Sequence, residues 1–315
     1  MSARSPLRPQ RRSAWRAAAY PYLLLVLASL FWAGNWIVGR AVRDAMPPLA
    51  LTFWRWAVAA LLLAPLALPR LAGKAAVVRR NRMLLFLLAL TGVVAFQALA
   101  YAGLRYTSSV NGVLMNSAAP LFIVLVAWLL DGDRASARQL AGVGLSLLGI
   151  LIIVDRGDLA SLRQFSFNPG DFIVLLAMPV WGAYSVLVRR RPPELDSVAL
   201  LFVIALIGLA VLAPLYALES WLFATPRPSW AAVGGVLYIA CFPSIGAYLC
   251  WNRGIELVGA NRAGFTYHLL PAFGTALAVL LLGETVQLYH LAGIATILLG
   301  VWLATSARAR PGARS

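Results

Sequence analysis

The sequence predicts an all-α integral membrane protein in which ten transmembrane helices form two inverted repeats of five helices each. Three observations support this fold class. The 315-residue chain is 61% hydrophobic and 12% charged, a balance far from that of soluble domains. Its apolar residues fall into ten segments, most of them near the roughly 20 residues that cross a bilayer as a helix. The second half of the chain then repeats the landmarks of the first.

The apolar segments divide the chain into five regions. We expect a basic cytoplasmic tail at residues 1–19, the first repeat at 20–154, an external linker at 155–170, the second repeat at 171–305 and another cytoplasmic tail at 306–315. The linker is assigned on its Asp, Arg, Ser, Asn, Pro and Gly content, which favours loops. The predicted helices are 20–39, 48–69, 83–104, 108–130, 139–154, 171–189, 197–218, 230–252, 261–282 and 286–306.

Residues of the first repeat recur in the second at nearly constant offsets. The offset is 149 positions in the first two helices and 151 from the third helix on. Because a unit of five crossings is odd, its second copy must insert upside down. Inverted repeats are typical of alternating-access transporters, whose substrate site lies near the midplane between the copies. The matched residues include Trp32 with Trp181, Pro65 with Pro214, Gly103 with Gly254 and Pro120 with Pro271.

The basic residues predict the orientation of the chain. With the N-terminus inside, 20 of the 27 Lys and Arg fall in inner segments and six in outer ones, while Arg55 lies within a helix. This asymmetry follows the positive-inside rule and places both termini in the cytoplasm, most simply of a bacterial plasma (inner) membrane. The net charge of +16 then serves topology and contact with anionic membrane lipids, and no nucleic-acid partner is expected.

The sequence also predicts whether the N-terminus is a signal peptide and whether the cysteines bind a metal. The basic N-terminus followed by an apolar stretch resembles a signal peptide, but the stretch is of full membrane length and has an equivalent in the second repeat. It is therefore predicted to be a retained first helix. Cys241 and Cys250 both fall in the eighth segment without metal-site spacing, so neither a metal nor a cofactor is expected.

Polar and aromatic side chains share particular faces of the predicted helices. Trp32, Asn35 and Trp36 have the i, i+3, i+4 spacing of one face, as do Gln97 and Tyr101 of another. These faces predict a central cavity lined by helices 1–4 and 6–9, with an aromatic gate above and below it. The structural alternative is an interfacial aromatic belt with amides that bond neighbouring helices. The candidate cavity residues are Trp32, Asn35, Trp36, Arg55, Gln97, Tyr101, Asn116, Trp181, Tyr184, Tyr248, Trp251, Tyr267 and His268.

Arg55 and His268 are the ionisable candidates among them. A charge such as Arg55 inside a helix normally faces a cavity, a partner or water. Since the acidic residues lie in predicted loops or at helix ends, an anionic substrate group, helix carbonyls or snorkelling would have to neutralise it. His268 could carry a proton or pack as a satisfied core histidine. Without a mid-membrane carboxylate, uniport, exchange or loose coupling is favoured over tight proton coupling.

Pro120 and Pro271 occupy equivalent positions that are predicted to lie in mid-helix. Each would remove a backbone hydrogen bond and kink its helix. Paired interruptions of this kind point to a transport site and its gates. A fixed kink that serves packing alone is the alternative.

Several short stretches resemble the EamA branch of the drug/metabolite transporter superfamily. They are Phe31-Trp32-Ala33-Gly34-Asn35 leading into Pro47-Pro48, then Phe53-Trp54-Arg55-Trp56, and Leu282-Gly283-Glu284 at the end of the ninth helix. The first repeat departs from the usual Gly-Glu-Arg ending with Gly132-Asp133-Arg134. The resemblance covers nearly the whole chain and implies ten helices, cytoplasmic termini and export or exchange of small metabolites. Within the branch, the sequence is similar to YddG-type amino-acid exporters.

The leading hypothesis is therefore an alternating-access transporter of amino acids, including aromatic and apolar ones, that works as a monomer. A permease for another small solute, such as a sugar, carboxylate, nucleotide-linked compound or drug, is the alternative. An enzyme is not expected, because no nucleophile with an oriented base, metal set or pair of neighbouring acids is visible.

Overall fold

Helices make up almost all of the chain that the structure describes. The computed structural model describes residues 10–103, 105–107, 115–116, 118–154, 169–223, 225–282 and 287–306. No strand occurs among these residues. Residues 155–168 of the predicted linker, 1–9 of the predicted N-terminal tail and 307–315 of the predicted C-terminal tail lie outside them.

Twelve helices are described, and three of them contain a segment of different pitch. A π-helical segment interrupts α4 at Leu90–Ala95 and α9 at Ala240–Gly246, and α7 ends in the 3₁₀ turn Val188–Arg190. The helices are α1 (Gln10–Val42), α2 (Pro48–Leu71), α3 (Ala75–Arg80), α4 (Arg82–Gly103), α5 (Ala119–Asp131), α6 (Ala137–Val154), α7 (Pro169–Arg190), α8 (Ser197–Leu222), α9 (Trp230–Val258), α10 (Ala260–Thr266), α11 (Leu269–Leu282) and α12 (Leu288–Thr305).

Six of the described helices are long and apolar enough to cross a membrane: α1, α2, α4, α7, α8 and α9. The predicted fifth and tenth segments correspond to the shorter apolar helices α6 and α12, and the described part of the fourth corresponds to α5. Residues 108–114 and 117 of the predicted fourth segment lie outside the described residues. The predicted ninth segment is divided into α10 and α11 by a turn at Tyr267–His268. Helix α1 begins at Gln10, ten residues before the predicted first segment. Ten crossings with cytoplasmic termini therefore remain a prediction.

The two prolines predicted to kink helices lie at helix starts instead. Pro120 is the second residue of α5, and Pro271 is the third residue of α11. In the first turn of a helix the missing N–H of proline has no intrahelical partner to lose. The mid-helix prediction is therefore wrong. Turns interrupt the helical structure just before each proline, at Ala118 and at Tyr267–His268. The paired interruptions therefore exist, and each proline lies in the first turn of the helix that follows the interruption.

Equivalent helices of the two repeats pack in equivalent pairs. Helix α1 packs on α9 and α11, while its counterpart α7 packs on α4 and α5. Helix α2 packs on its own counterpart α8, and α6 packs on its counterpart α12. The two halves are thus related by a pseudo-two-fold axis that passes between α2 and α8 and between α6 and α12.

Glycines allow the closest approach across this axis. A Cβ added to Gly142 would lie 2.6 Å from the carbonyl oxygen of Gly300, and one added to Gly149 would lie 2.7 Å from that of Gly293. Since the residue numbers increase along α6 where those of α12 decrease, the two helices are antiparallel. Each glycine also faces the counterpart of the other, as an inverted repeat requires.

Two acidic side chains cap the N-termini of the paired helices α2 and α8, and one of them, Glu219, also joins the pair. Asp196 accepts a hydrogen bond from the N–H of Ala199 at 2.8 Å and so caps α8. The residue before α2 is Pro47, whose side chain cannot cap the helix. Glu219 of α8 supplies the cap instead and accepts from the N–H groups of Leu49 and Ala50 at 3.1 and 2.8 Å.

Replacing Gly142 by Ala should destabilise the protein, because the new methyl group meets backbone atoms that cannot move aside. We expect a cost of about 1–3 kcal/mol, measured as a lower apparent melting temperature of the purified protein. Gly144→Ala on the same helix is the control, since nothing lies within 4 Å of its added Cβ. Equal melting temperatures for the two variants would contradict the close contact.

Replacing Glu219 by Ala should remove the cap of α2 and leave two N–H groups unpaired. The expected loss is about 1–2 kcal/mol, again as a lower melting temperature. Glu194→Ala, which removes an exposed carboxylate, is the control and should change little. A Glu219→Ala protein as stable as the wild type would show that the cap is dispensable.

Candidate functional site

Six buried aromatic rings meet at the centre of the helix bundle and form what we call the aromatic cage. Helices α1, α7 and α9 supply five rings, and the turn between α10 and α11 supplies the sixth. All six are at most 5% exposed. Neighbouring rings in such a cluster each contribute about 0.5–1.5 kcal/mol beyond the burial of their area. The members are Trp32, Trp181, Tyr184, Tyr248, Trp251 and Tyr267.

Trp32 and Trp181, which are equivalent residues of the two repeats, touch each other in the middle of the cage. Their ring centroids are 5.0 Å apart and their planes are nearly perpendicular. Trp32 also meets Trp251 at 5.2 Å and Tyr267 at 5.6 Å. A residue that contacts its own counterpart must lie near the pseudo-two-fold axis. The cage therefore occupies the midpoint between the repeats, where the sequence predicts the site.

The two π-helical segments are fastened to this cage by their backbone carbonyls. Trp32 donates its indole N–H to the carbonyl oxygen of Pro243 at 3.2 Å. Tyr248 donates its hydroxyl to the carbonyl oxygen of Gly92. Gly92 and Pro243 are 151 positions apart, so the same carbonyl is used in each repeat. Segments with π geometry are frequent at functional sites.

An Asn–Tyr hydrogen bond joins the first and third helices of each repeat, with the two residues exchanged. In the first repeat Tyr101 of α4 donates to Asn35 of α1 at 3.0 Å. In the second repeat Tyr184 of α7 donates to Asn252 of α9 at 2.8 Å. Position 35 corresponds to 184, and 101 corresponds to 252. The bond is thus preserved while its donor and acceptor change helices.

Arg55 is the centre of a polar cluster beside the cage, defined by Asn35, Arg55, Gln97, Tyr101 and Ser244. Its side chain is fully buried. Its Nε donates to the hydroxyl of Ser244 at 2.8 Å, and its Nη1 donates to Gln97 Oε1 at 3.0 Å and to the hydroxyl of Tyr101 at 2.9 Å. Ser244 in turn donates to the carbonyl oxygen of Ile239 at 2.8 Å. The guanidinium is therefore fixed by three side chains.

The second repeat has no charge at the position equivalent to Arg55. By the same offsets, Ile204 stands where the first repeat has Arg55, and Val93 stands where the second has Ser244. Both Ile204 and Val93 are fully buried members of the apolar core. The cage is consequently flanked by a cationic, hydrogen-bonding region on one side of the axis and by aliphatic packing on the other.

A large cavity opens toward this polar side. This vestibule, of about 910 Å³, is lined by the C-terminal ends of α1, α4 and α8 and the start of α2, and Tyr101 forms part of its wall. Tyr101 also lines a space of about 20 Å³ that adjoins Trp32, Asn35, Trp36 and Gln97. Among the described residues the predicted central cavity is therefore closed at this point, since about 20 Å³ holds no more than a water molecule.

Ion pairs close the opposite end of the bundle. Arg189 contacts Asp131 and Asp133 at 3.3 and 3.1 Å, and Arg190 contacts Asp131 at 2.6 Å. These ion pairs link the C-terminal ends of α5 and α7. Arg191 and Glu256 then join α7 to α9 at 2.7 Å. We call this set the ion-pair layer. The bundle is thus open at one end and tied at the other.

Three of the predicted site residues lie around the cage rather than in it. Asn116 is buried and accepts a hydrogen bond from Tyr267, its own repeat counterpart, at 3.4 Å. Trp36 is half-buried and lines the small space. His268 is buried in the turn between α10 and α11.

Five residues of the site were missed by sequence reasoning. Trp56 packs on Tyr248 at 5.1 Å and Phe96 packs on Trp181 at 5.0 Å. Trp56 had a signal, because it follows Arg55 directly. Ser244 had none, because its counterpart is valine. The pair Gly92 and Pro243 could have been flagged as helix breakers at equivalent positions. No group of three metal-binding side chains occurs among the described residues.

Known transporters match the chain over nearly its full length. A transporter described only as uncharacterized, YyaM of Bacillus subtilis (strain 168), is 26% identical over 90% of this chain and 93% of its own. A probable terminal-alkyne amino-acid exporter of Streptantibioticus cattleyicolor is 25% identical over 89% of this chain and 91% of its own. A solved crystal structure has the same fold, with a TM-score of 0.73 at 22% identity, over 92% of this chain and 97% of that one.

The duplicated unit itself identifies the family. The EamA-like transporter family matches residues 19–155 and matches again at residues 168–306. These two ranges are the halves that the pseudo-two-fold axis relates in the structure. The chain belongs to the EamA-like transporter family.

Proposed function

We propose that this protein is an alternating-access transporter that exports or exchanges amino acids, aromatic and apolar ones among them. It acts as a monomer with ten membrane crossings, and both termini lie in the cytoplasm of the inner membrane. Its partners are the small-molecule substrate and the surrounding lipids.

One observation carries this proposal: equivalent tryptophans of two inverted repeats meet on the axis between an open vestibule and a tied ion-pair layer. In alternating access, inverted repeats exchange conformations around a fixed midplane site. Opening the ion-pair layer while closing the vestibule would be such an exchange. In the proposed orientation the vestibule lies at the outer end, above the closed cage, and the arrangement is an outward-facing one.

The choice of amino acids has two supports. The aromatic cage offers ring faces for an apolar side chain and for an ammonium group, which aromatic faces attract. The amino-acid exporter of S. cattleyicolor matches this chain along almost its whole length.

The ion pairs of the ion-pair layer are partly exposed and contribute little each, about 0–1 kcal/mol. The free energy of substrate binding is therefore large enough to shift the layer between its closed and open states.

Trp181→Ala should abolish most exchange, because the variant removes the ring that joins both repeats on the axis. We expect counterflow of radiolabelled amino acids in proteoliposomes to fall at least about tenfold, the effect of roughly 1.4 kcal/mol. Trp302→Ala, which removes an exposed ring of α12, is the control and should retain exchange.

The same assay with and without a pH gradient tests coupling, and indifference to the gradient would argue against proton coupling. If the wild type exchanged no amino acid at all, the substrate assignment would be wrong. The search would then move to sugars, carboxylates and drugs.

The exchanged Asn–Tyr bond predicts rescue by a double substitution. Tyr184→Asn or Asn252→Tyr alone leaves a buried amide or hydroxyl without its partner, which costs about 1–3 kcal/mol. Both together recreate the order found in the first repeat and keep the total side-chain volume. We expect each single variant to slow counterflow and the double variant to recover much of it. A double variant no better than the poorer single one would show that the bond plays no part.

A further inference from the structure

The charge of Arg55 has no acidic partner in the part of the chain that the structure describes. None of the ion pairs found there includes Arg55. Its Nη2 group is buried and donates to nothing among the described residues, whereas Nε and Nη1 are fully engaged. A buried charge without a counter-charge is unfavourable in a membrane protein unless a ligand or cavity compensates it.

Other unpaired buried groups of the site are also hydrogen-bond donors. The indole N–H groups of Trp56, Trp181 and Trp251 and the Nδ2 group of Asn252 have no acceptor among the described residues. Together with Arg55 they form a set that calls for acceptor atoms. The two carbonyls that reach the cage, those of Gly92 and Pro243, already accept hydrogen bonds. These donors lack acceptors in the closed site, and a substrate that brings acceptor atoms would satisfy them.

The charges that line the vestibule also favour a substrate with acceptor atoms or a negative charge. Arg43, Arg105 and Arg227 line it, with Asp44 as the acidic residue of its wall. Asp44 is exposed and pairs loosely with Arg43 at 3.6 Å. The balance is positive, and a positive cleft with low-dielectric walls concentrates anions. The wall ends at Tyr101, whose hydroxyl accepts from Arg55.

We infer that Arg55 is the anchor for a carboxylate group of the substrate. The substrate reaches it from the vestibule when the side chains of Tyr101 and Gln97, which bond Arg55, move aside. The inference rests on the proposed transport of amino acids and narrows it. A planar guanidinium with a free Nη2 edge matches a carboxylate. The apolar body of the substrate then lies among the rings of the cage, toward the aliphatic side formed by Val93 and Ile204.

The same geometry makes the ammonium group of an amino acid secondary. No carboxylate belongs to the aromatic cage or to the polar cluster, so an ammonium group meets ring faces and neutral oxygen atoms there but no counter-charge. The selected class is therefore carboxylates with an aromatic or apolar body, and aromatic amino acids are members of it. A deaminated analogue should still bind, whereas an analogue without the carboxylate should not.

Four probes with one phenyl body separate these contributions. They are L-phenylalanine, 3-phenylpropionate, which lacks the amino group, L-phenylalaninamide, which lacks the carboxylate charge, and phenethylamine, which lacks the carboxylate. Binding of each is measured by calorimetric titration of the purified full chain in nanodiscs. We expect the two acids to bind about 10- to 100-fold more tightly than the amide and the amine, the usual effect of a hydrogen bond to a charged group.

Arg55→Gln should then lower the affinity for both acids about 10- to 100-fold and leave the weak binding of the amide and amine unchanged. Arg55→Lys keeps the charge but not the fork, and should retain part of the preference for acids. Arg138→Gln removes an exposed arginine on the peripheral helix α6 and should bind all four probes like the wild type. Melting temperatures exclude unfolding as the cause.

The outcomes are distinct. Wild-type protein that binds the amide and amine as tightly as the acids overturns the carboxylate anchor and leaves amino-acid transport intact. An Arg55→Gln protein that weakens all four probes equally assigns Arg55 a purely structural role and overturns the inference. Absence of binding for all four probes overturns the amino-acid substrate and the anchor with it.

Discussion

The break in regular helix geometry around Pro243 is the constraint from which the polar side of the site is built. In a membrane every backbone carbonyl must find a partner within the protein, and a proline inside a helix removes one backbone donor. Pro243 lies in the π-helical segment Ala240–Gly246, and there the hydroxyl of Ser244 donates to the carbonyl oxygen of Ile239, five residues back. The serine oxygen is thereby turned toward Arg55 and accepts from its Nε. A backbone defect thus leads to a fixed guanidinium beside the axis.

Duplication supplies the symmetry of the bundle, and a few substitutions between the repeats give the site its direction. The glycines of α6 and α12, the Asn–Tyr bonds and the two carbonyls fastened by Trp32 and Tyr248 are shared by both halves. Arg55 has Ile204 as its counterpart, so at this pair of equivalent positions only the first repeat carries a charge. A symmetric scaffold can exchange conformations with little change in packing, while the asymmetric charge orients a substrate within it.

The repeat offsets predicted the two inverted halves, but the meeting of Trp32 with Trp181 was not predicted. The sequence analysis placed separate aromatic gates above and below a cavity, whereas the structure joins both tryptophans in one cage, because residues near a two-fold axis contact their own counterparts. Spacing along one helix could not predict bonds between helices, such as that of Tyr101 with Asn35. Ser244 was invisible because its counterpart is Val93. Glu219 was placed at a helix end because the predicted seventh helix stopped at residue 218. The structure extends that helix to Leu222 and buries the carboxylate as a cap.

The closed cage gives a physical reason for the proposed substrate, in which an apolar ring is preferred to a small polar group. A ligand shifts a conformational equilibrium only by its differential affinity for the two states. Entry must separate rings such as Trp32 and Trp181, each contact being worth about 0.5–1.5 kcal/mol. A phenyl body between them replaces those contacts, whereas a small polar solute leaves ring faces exposed. The carboxylate meanwhile compensates a charge that the closed state leaves without an acidic partner, so both ends of such a substrate favour the same opening.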